Sequence, residues 1–313
     1  MNTSFTFVDL CCGIGGFHIA CQRNDGICVQ ACDIDNGARE LYFLNHGVQP
    51  GKDVKNLSPP LNANIDLVCF GNPCQSFSSI GLRRGLSDKR GKVFFSIVNY
   101  LNKSKAKAFI MENVKGLVNL NKGRDFKRML RLLQDLGYHV SYRLLNALDF
   151  GVGQSRERVF VVGHRDRLFD FDKIELQPRV KNIRRFLNTA PPNPSLKSQR
   201  FDDLLDLKAP LKNTKTGFVI RAEIAPYTEK RLFSSNGVIG TIMSSMSPFI
   251  YDERHRVVRN LDVKELLRLQ SFPEDFKFPP GTSRTKALKY IGNAVCVNVV
   301  DAIVQQMRSQ KLL

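Results

Sequence analysis

The chain of 313 residues is 42% hydrophobic, long enough for one large domain with a smaller insertion and apolar enough to fill a core. Its 47 lysines and arginines against 29 acidic residues give a formal charge of +18, which points to a polyanionic partner, because clustered cations attract phosphates and release counterions on binding. Eight cysteines without a Cys-x-x-Cys pair, beside only five histidines, argue against a metal centre, and none is expected.

Met1-Asn2-Thr3-Ser4 lacks a charged start followed by a long apolar core, and no apolar run reads as a membrane span. An intracellular protein with reduced thiols is therefore expected, without membrane contact, in the cytoplasm or nucleoid of a bacterium or the nucleus of a eukaryote. In chain order, Phe5–Leu10, Ile27–Cys32, Ile65–Phe70, Ala108–Met111, His139–Leu145 and Val159–Gly163 each read as a short strand. Between them, Asn36–Asn45, Val93–Leu101 and Arg124–Leu136 repeat apolar residues at helical spacing, with Gly47 and Gly137 as stops. Alternating strands and helices predict an α/β, doubly wound, mostly parallel sheet. After Gly163 the pattern becomes charged and irregular as far as about Asn260; helical spacing resumes at Asp262–Leu269 and again after Asn293, through Val299, Ile303 and Met307.

Several segments carry chemistry. Asp9-Leu10-Cys11-Cys12-Gly13-Ile14-Gly15-Gly16 follows the first strand, where glycines let a ligand approach the backbone and the next helix aims its amides at it. The spacing is not that of a dinucleotide fingerprint, and no Gly-Lys-Ser/Thr follows to suggest a nucleoside triphosphate. The second strand ends in Asp33, about twenty residues past the glycines, where doubly wound folds place an acid on ribose hydroxyls. The third ends in Gly71-Asn72-Pro73-Cys74, a thiol in a rigid turn at the edge where open sheets bind ligands. Glu112-Asn113-Val114 closes the fourth strand and Gln154-Ser155-Arg156-Glu157-Arg158 precedes the last; alternation along an extended chain would put both guanidinium groups on one face. Downstream of Cys74, Arg83, Arg84, Lys89, Arg90 and Lys92 crowd a loop with a single acid, Asp88.

In this order the segments at 9–16, 71–77, 112–114 and 154–158 resemble the DNA cytosine-5 methyltransferases, and the resemblance runs from the glycine turn to Gly292-Asn293-Ala294-Val295. It implies a Rossmann-like methyltransferase sheet with a smaller, irregular inserted target-recognition domain. Residues 1–170 would form the catalytic and S-adenosylmethionine-binding domain, 171–262 the DNA-reading domain, and 263–313 a hinge and return to the first. The implied reaction starts with attack of the Cys74 thiolate on carbon 6 of cytosine, which makes carbon 5 nucleophilic. Glu112 would hold or protonate ring nitrogen 3, Arg158 contact the ring carbonyl and Arg156 orient neighbouring groups. The cofactor contacts implied are Phe17, Gly13, Gly15, Asp33 on the ribose, Ile34 on the adenine, Asp53 near its amino group, Pro73, Asn293 and Val295. Asn72 replaces the commoner proline, Cys11-Cys12 a usual Phe-Ala, and Asp33 and Ile34 a usual glutamate and aromatic. None of these changes removes a reactive group.

A stacked cytosine cannot reach such groups, so the resemblance implies base flipping, with the glycine-punctuated loop closing over the extruded nucleotide. Arg83, Arg84 and Lys89 would lie on DNA, and Arg90 or Ile80 would fill the vacated space or brace the backbone. Asn236 and Thr241, in two short segments of the recognition region, would also contact DNA. Arg259 with Glu265 resembles the element that organises that region. Duplex DNA is the expected partner, with a cognate restriction endonuclease as a second, and the chain is expected to act as a monomer. Two rivals remain: a transfer-RNA cytosine-5 methyltransferase, whose characteristic Cys-Phe-Thr is absent here, and a catalytically silent DNA-binding regulator.

Overall fold

The structure, a computed structural model, describes residues 4–61, 63–71, 93–197, 212–213, 219–223 and 231–313. It divides into two compact units, one formed by residues 1–145, 157–175 and 299–313, the other by 146–156 and 176–298.

The first unit is built on β1 (Phe5–Leu10), β2 (Gly26–Cys32), β3 (Leu67–Phe70), β4 (Ala108–Val114), β5 (His139–Asn146) and β6 (Glu157–His164), in the sheet order β2-β1-β3-β4-β6-β5. β2, β1, β3 and β4 run parallel, and β6 is antiparallel to β4. This is the α/β, mostly parallel, Rossmann-like arrangement expected. Leu67-Val68-Cys69-Phe70 is fully buried along its length, as a central strand covered on both faces must be, and so it reads in sequence as an unbroken apolar run. The helices are α1 (Gly16–Gln22), α2 (Asn36–His46), α3 (Val93–Ser104), the single turn α4 (Gly116–Asn119) and α5 (Arg124–Gln134). Asp35 caps α2 by accepting from the Ala38 amide at 3.1 Å, and Gly47 ends it at φ 69°. α3 buries Phe94, Ile97, Tyr100 and Leu101, and α5 buries Phe126, Met129 and Leu133, in one apolar core with Val68, Phe70, Phe109 and Met111.

The second unit holds β7 (Lys212–Asn213), β8 (Val219–Glu223), β9 (Arg231–Ser234), β10 (Phe249–Asp252) and β11 (Val257–Arg259), in the order β11-β10-β9-β8-β7, where the sequence read as irregular. These strands are two to five residues long, too short for a visible alternation. α6 (Val263–Arg268) starts with a reciprocal capping box between Asp262 and Glu265. Arg259, 2% exposed, ties that box to β10, with Nη1 2.7 Å from Glu265 and Nη2 2.8 Å from Asp252. α7 (Arg284–Asn293), which the sequence reading missed, follows, and α8 (Val297–Ser309) belongs from residue 299 onward to the first unit. Together Arg284–Ser309 is long and apolar enough for a membrane span by length and composition only. The stretch is nonetheless two helices, separated at Ala294–Cys296, and most of it is buried inside the fold.

Candidate active site

The turn from β1 to α1 carries three left-handed residues, Cys11 at φ 54°, Gly13 at φ 54° and Gly15 at φ 88°. Gly15 is obligatory on steric grounds as well, since a Cβ there would lie 2.1 Å from Nε2 of His46. At Gly13 the same Cβ would meet nothing within 4 Å among the described residues, which leave that side of the turn's backbone open. The Gly13 amide donates to one carboxylate oxygen of Asp33 at 2.8 Å, and the Asp35 amide donates to the other at 2.8 Å. Burial raises the Asp33 carboxyl above its ordinary range, and those two amides pull it back. Ile34 beside it is 78% exposed, an unusual placement for a large aliphatic side chain. Asp53 caps a single helical turn by accepting from the Lys55 amide at 3.0 Å, and its loop is held beside β2 by the Asp33 amide donating to the Gly51 carbonyl at 3.1 Å.

At the ends of β3 and β4 three residues converge: a Cβ built on Gly71 would lie 3.7 Å from Oε2 of Glu112 and 4.0 Å from the ring of Phe17. Phe17 is otherwise buried. Glu112 pairs with Arg158 across the sheet, Oε1 to Nε at 3.2 Å. The register accounts for the pair: Glu112 is opposite Phe160 and Arg158 opposite Val114, so the two charges are diagonal neighbours on one face. Both keep some access to solvent, 13% for the glutamate and 17% for the arginine. Glu157, on the other face, binds Lys115 at 2.6 Å. An acid and a guanidinium held together at the carboxyl edge of a parallel strand, next to a glycine turn, form a site for a planar group with adjacent donor and acceptor atoms.

The family model of the C-5 cytosine-specific DNA methylases matches residues 5–309. The chain belongs to that family. Among its relatives, the Type II methyltransferase M.DsaV of Dactylococcopsis salina is 33% identical over 97% of this chain and 86% of its own. The Type II methyltransferase M.HhaI of Haemophilus parahaemolyticus is 29% identical over 98% and 95%. The S. pombe Dnmt2 methyltransferase structure superposes with a TM-score of 0.76 at 19% identity, covering 98% of this chain and 99% of its own, a likeness of fold.

In this cytosine-5 DNA methyltransferase, Arg156 is engaged differently from the sequence expectation. β6 begins at Glu157, so the alternation argument does not reach Arg156. Its side chain is 3% exposed and donates to three backbone carbonyls of the second unit, Ile242 at 3.0 Å, Gly292 at 3.1 Å and Ala294 at 2.9 Å. Two glutamines to which the sequence reading gave no role complete this brace. Gln154 accepts from the Ile242 amide at 2.8 Å and donates to the Leu269 carbonyl at 2.9 Å, and Gln270 donates to the Ile291 carbonyl at 2.9 Å. Their signal was legible as uncharged polar residues set beside apolar ones in Val152-Gly153-Gln154 and Leu267-Arg268-Leu269-Gln270. Gly292 packs so closely there that a Cβ would lie 2.3 Å from the Met243 backbone.

Asn293 is exposed and Val295 buried at the end of α7. Thr241 donates its hydroxyl to the Ser155 carbonyl at 2.8 Å, and Asn236 accepts from Arg184. Pro73, Cys74, Ile80, Arg83, Arg84, Lys89 and Arg90 lie outside the described residues.

Proposed function

We propose that the chain methylates carbon 5 of one cytosine within a specific duplex DNA sequence, through covalent addition of Cys74 to a base rotated out of the helix. The observation that carries this reading is the Glu112–Arg158 pair at 3.2 Å, with Gly71 against it and Cys74 three residues further along the chain.

Cys74 as thiolate gives an electron pair to carbon 6, and the ring's double-bond electrons move onto carbon 5 and toward nitrogen 3 and the carbonyl. Glu112 holds a proton at nitrogen 3, and Arg158 meets the carbonyl oxygen, so negative charge gathers between a hydrogen-bond donor and a cation. Once carbon 5 has gained its methyl, loss of its proton to a base or water restores the ring and expels the thiolate. Arg156 acts in this scheme as a positioning residue.

The glycine turn suits S-adenosylmethionine. Among the described residues nothing crowds Gly13, Asp33 presents a carboxylate for ribose hydroxyls, and the exposed Ile34 offers an apolar face to an adenine. When bound, S-adenosylmethionine supplies an electrophilic methyl on a sulfonium. Asp53, Phe17, Pro73, Asn293 and Val295 complete the proposed binding set. The Type II names of the relatives favour a modification enzyme with a cognate restriction endonuclease. The test is to incubate purified protein and labelled methyl donor with duplex DNA and, separately, with transfer RNA. Label in DNA supports the reading, and label confined to transfer RNA overturns it.

A further inference from the structure

α5 carries Arg124, Lys127, Arg128 and Arg131 at helical spacings of three and four, all exposed. The four fall within an arc of about 100° on a 3.6-residue helix, opposite the arc of Phe126, Met129 and Leu133 that enters the core. Among the described residues no carboxylate forms an ion pair with any of them. Asp125 on the same helix accepts instead from Asn121. Arg128 is steadied over the Phe95 ring at 5.7 Å.

Such a stripe works against the helix that bears it. Arg124 repels Lys127 and Arg128, Arg131 repels the same two, and Arg124 stands in the first turn, at the positive end of the helix dipole. A merely soluble surface is achieved by mixing signs, whereas an unbroken row of cations has a polyanion as its natural complement. The row is about 10 Å long at 1.5 Å per residue, enough to run beside about three successive phosphates of one strand. In chain order it begins ten residues after Val114, where the strand that carries Glu112 ends.

We infer that the outer face of α5 is a second, sequence-independent contact for duplex DNA, holding the phosphate backbone that flanks the target base. The inference rests on the DNA reading above and adds to it a surface outside the recognition region.

The test compares two variants of equal charge, each reducing +18 by four to +14. One replaces Arg124, Lys127, Arg128 and Arg131 with glutamine; the other replaces the exposed Lys103, Lys105, Lys173 and Lys311. Affinity for a 40-base-pair duplex is measured against salt concentration, with S-adenosylmethionine affinity as the check on folding. For the α5 variant the slope of log affinity on log salt falls by about 3, at about 0.9 per phosphate contact, while the control slope changes by less than about 1. A conservative variant with lysine at all four positions keeps the wild-type slope, which separates charge from fold. Equal slopes for the α5 variant and wild type, or equal losses in both glutamine variants, overturn the inference and leave the DNA reading standing. Wild-type protein that binds no duplex ends both, and a stripe-dependent affinity for transfer RNA alone overturns the choice of DNA.

Discussion

Glu112 offers one oxygen to Arg158 and turns the other toward Gly71, and in the proposed reaction the acid form of that second oxygen would donate its proton to ring nitrogen 3. Replacing it with glutamine preserves shape but removes the acid. Glu112→Gln is expected to lower single-turnover methyl transfer by about a hundredfold or more while leaving methyl-donor affinity unchanged. Loss of both together would mean that the residue serves folding instead. At Gly15 the constraint is steric: φ 88° disfavours any Cβ, and His46 fills the space one would take. Gly15→Ala should therefore destabilise the protein by about 2 kcal/mol or more in denaturant unfolding, and adding His46→Ala should recover part of that loss by opening the space.

At the scale of elements, two buried clusters make predictions of their own. The Arg156 guanidinium satisfies three carbonyls from two segments, Ile242 in one and Gly292 and Ala294 at the end of α7 in the other, and truncation removes that donor from all three. Arg156→Ala is expected to lower stability by about 3 kcal/mol or more. A protein that unfolds normally but has lost methyl transfer would return Arg156 to the reacting groups. Beneath the glycine turn, His18 stacks on His46 at 4.2 Å between centroids and bonds the Tyr42 hydroxyl at 2.8 Å. Burial pushes His18 down from 6.5 to about 3 and lowers His46 as well. The unfolded chain therefore takes up protons that the folded one refuses, and their contribution to stability is lost as pH falls from 6.5 toward about 3. Asp9 works in the opposite sense: burial raises its carboxyl, so the folded chain keeps a proton that the unfolded chain releases above 3.8. His18→Gln is expected to flatten the acid limb of a stability-against-pH curve, and an unchanged limb would refute the assignment. The central strands and α5 were legible because they are buried on continuous faces that leave an apolar period in the sequence. α7 was missed because Arg284-Thr285-Lys286 opens it with polar residues, so its stripe of Ala287, Leu288, Tyr290 and Ile291 is only five residues long. The five short strands of the second unit owe their existence to distant partners, such as Phe249 with Leu232, which no local pattern reports.

Over the whole molecule, the family resemblance singled out Glu112 and Arg158 separately and the register of β4 on β6 pairs them, while where Arg156 bonds is decided by carbonyls more than eighty residues away. The thiols supply a test on the same scale. Burial drives Cys11, Cys12 and Cys69 well above the ordinary thiol range and Cys28 and Cys32 to about 12, while Cys21 and Cys296 are buried. A thiol held protonated or covered is inert. Native protein at pH 8 is expected to react rapidly with iodoacetamide at one of its eight cysteines, Cys74, and at all eight in denaturant; peptide mapping checks it. The most direct test of the account uses wild-type and Cys74→Ser protein with a tritiated methyl donor and unmethylated genomic DNA, digested to nucleosides. Label is expected in 5-methylcytosine from the wild type and none from the variant; label on an exocyclic amine, or undiminished 5-methylcytosine from Cys74→Ser, would contradict covalent catalysis by Cys74.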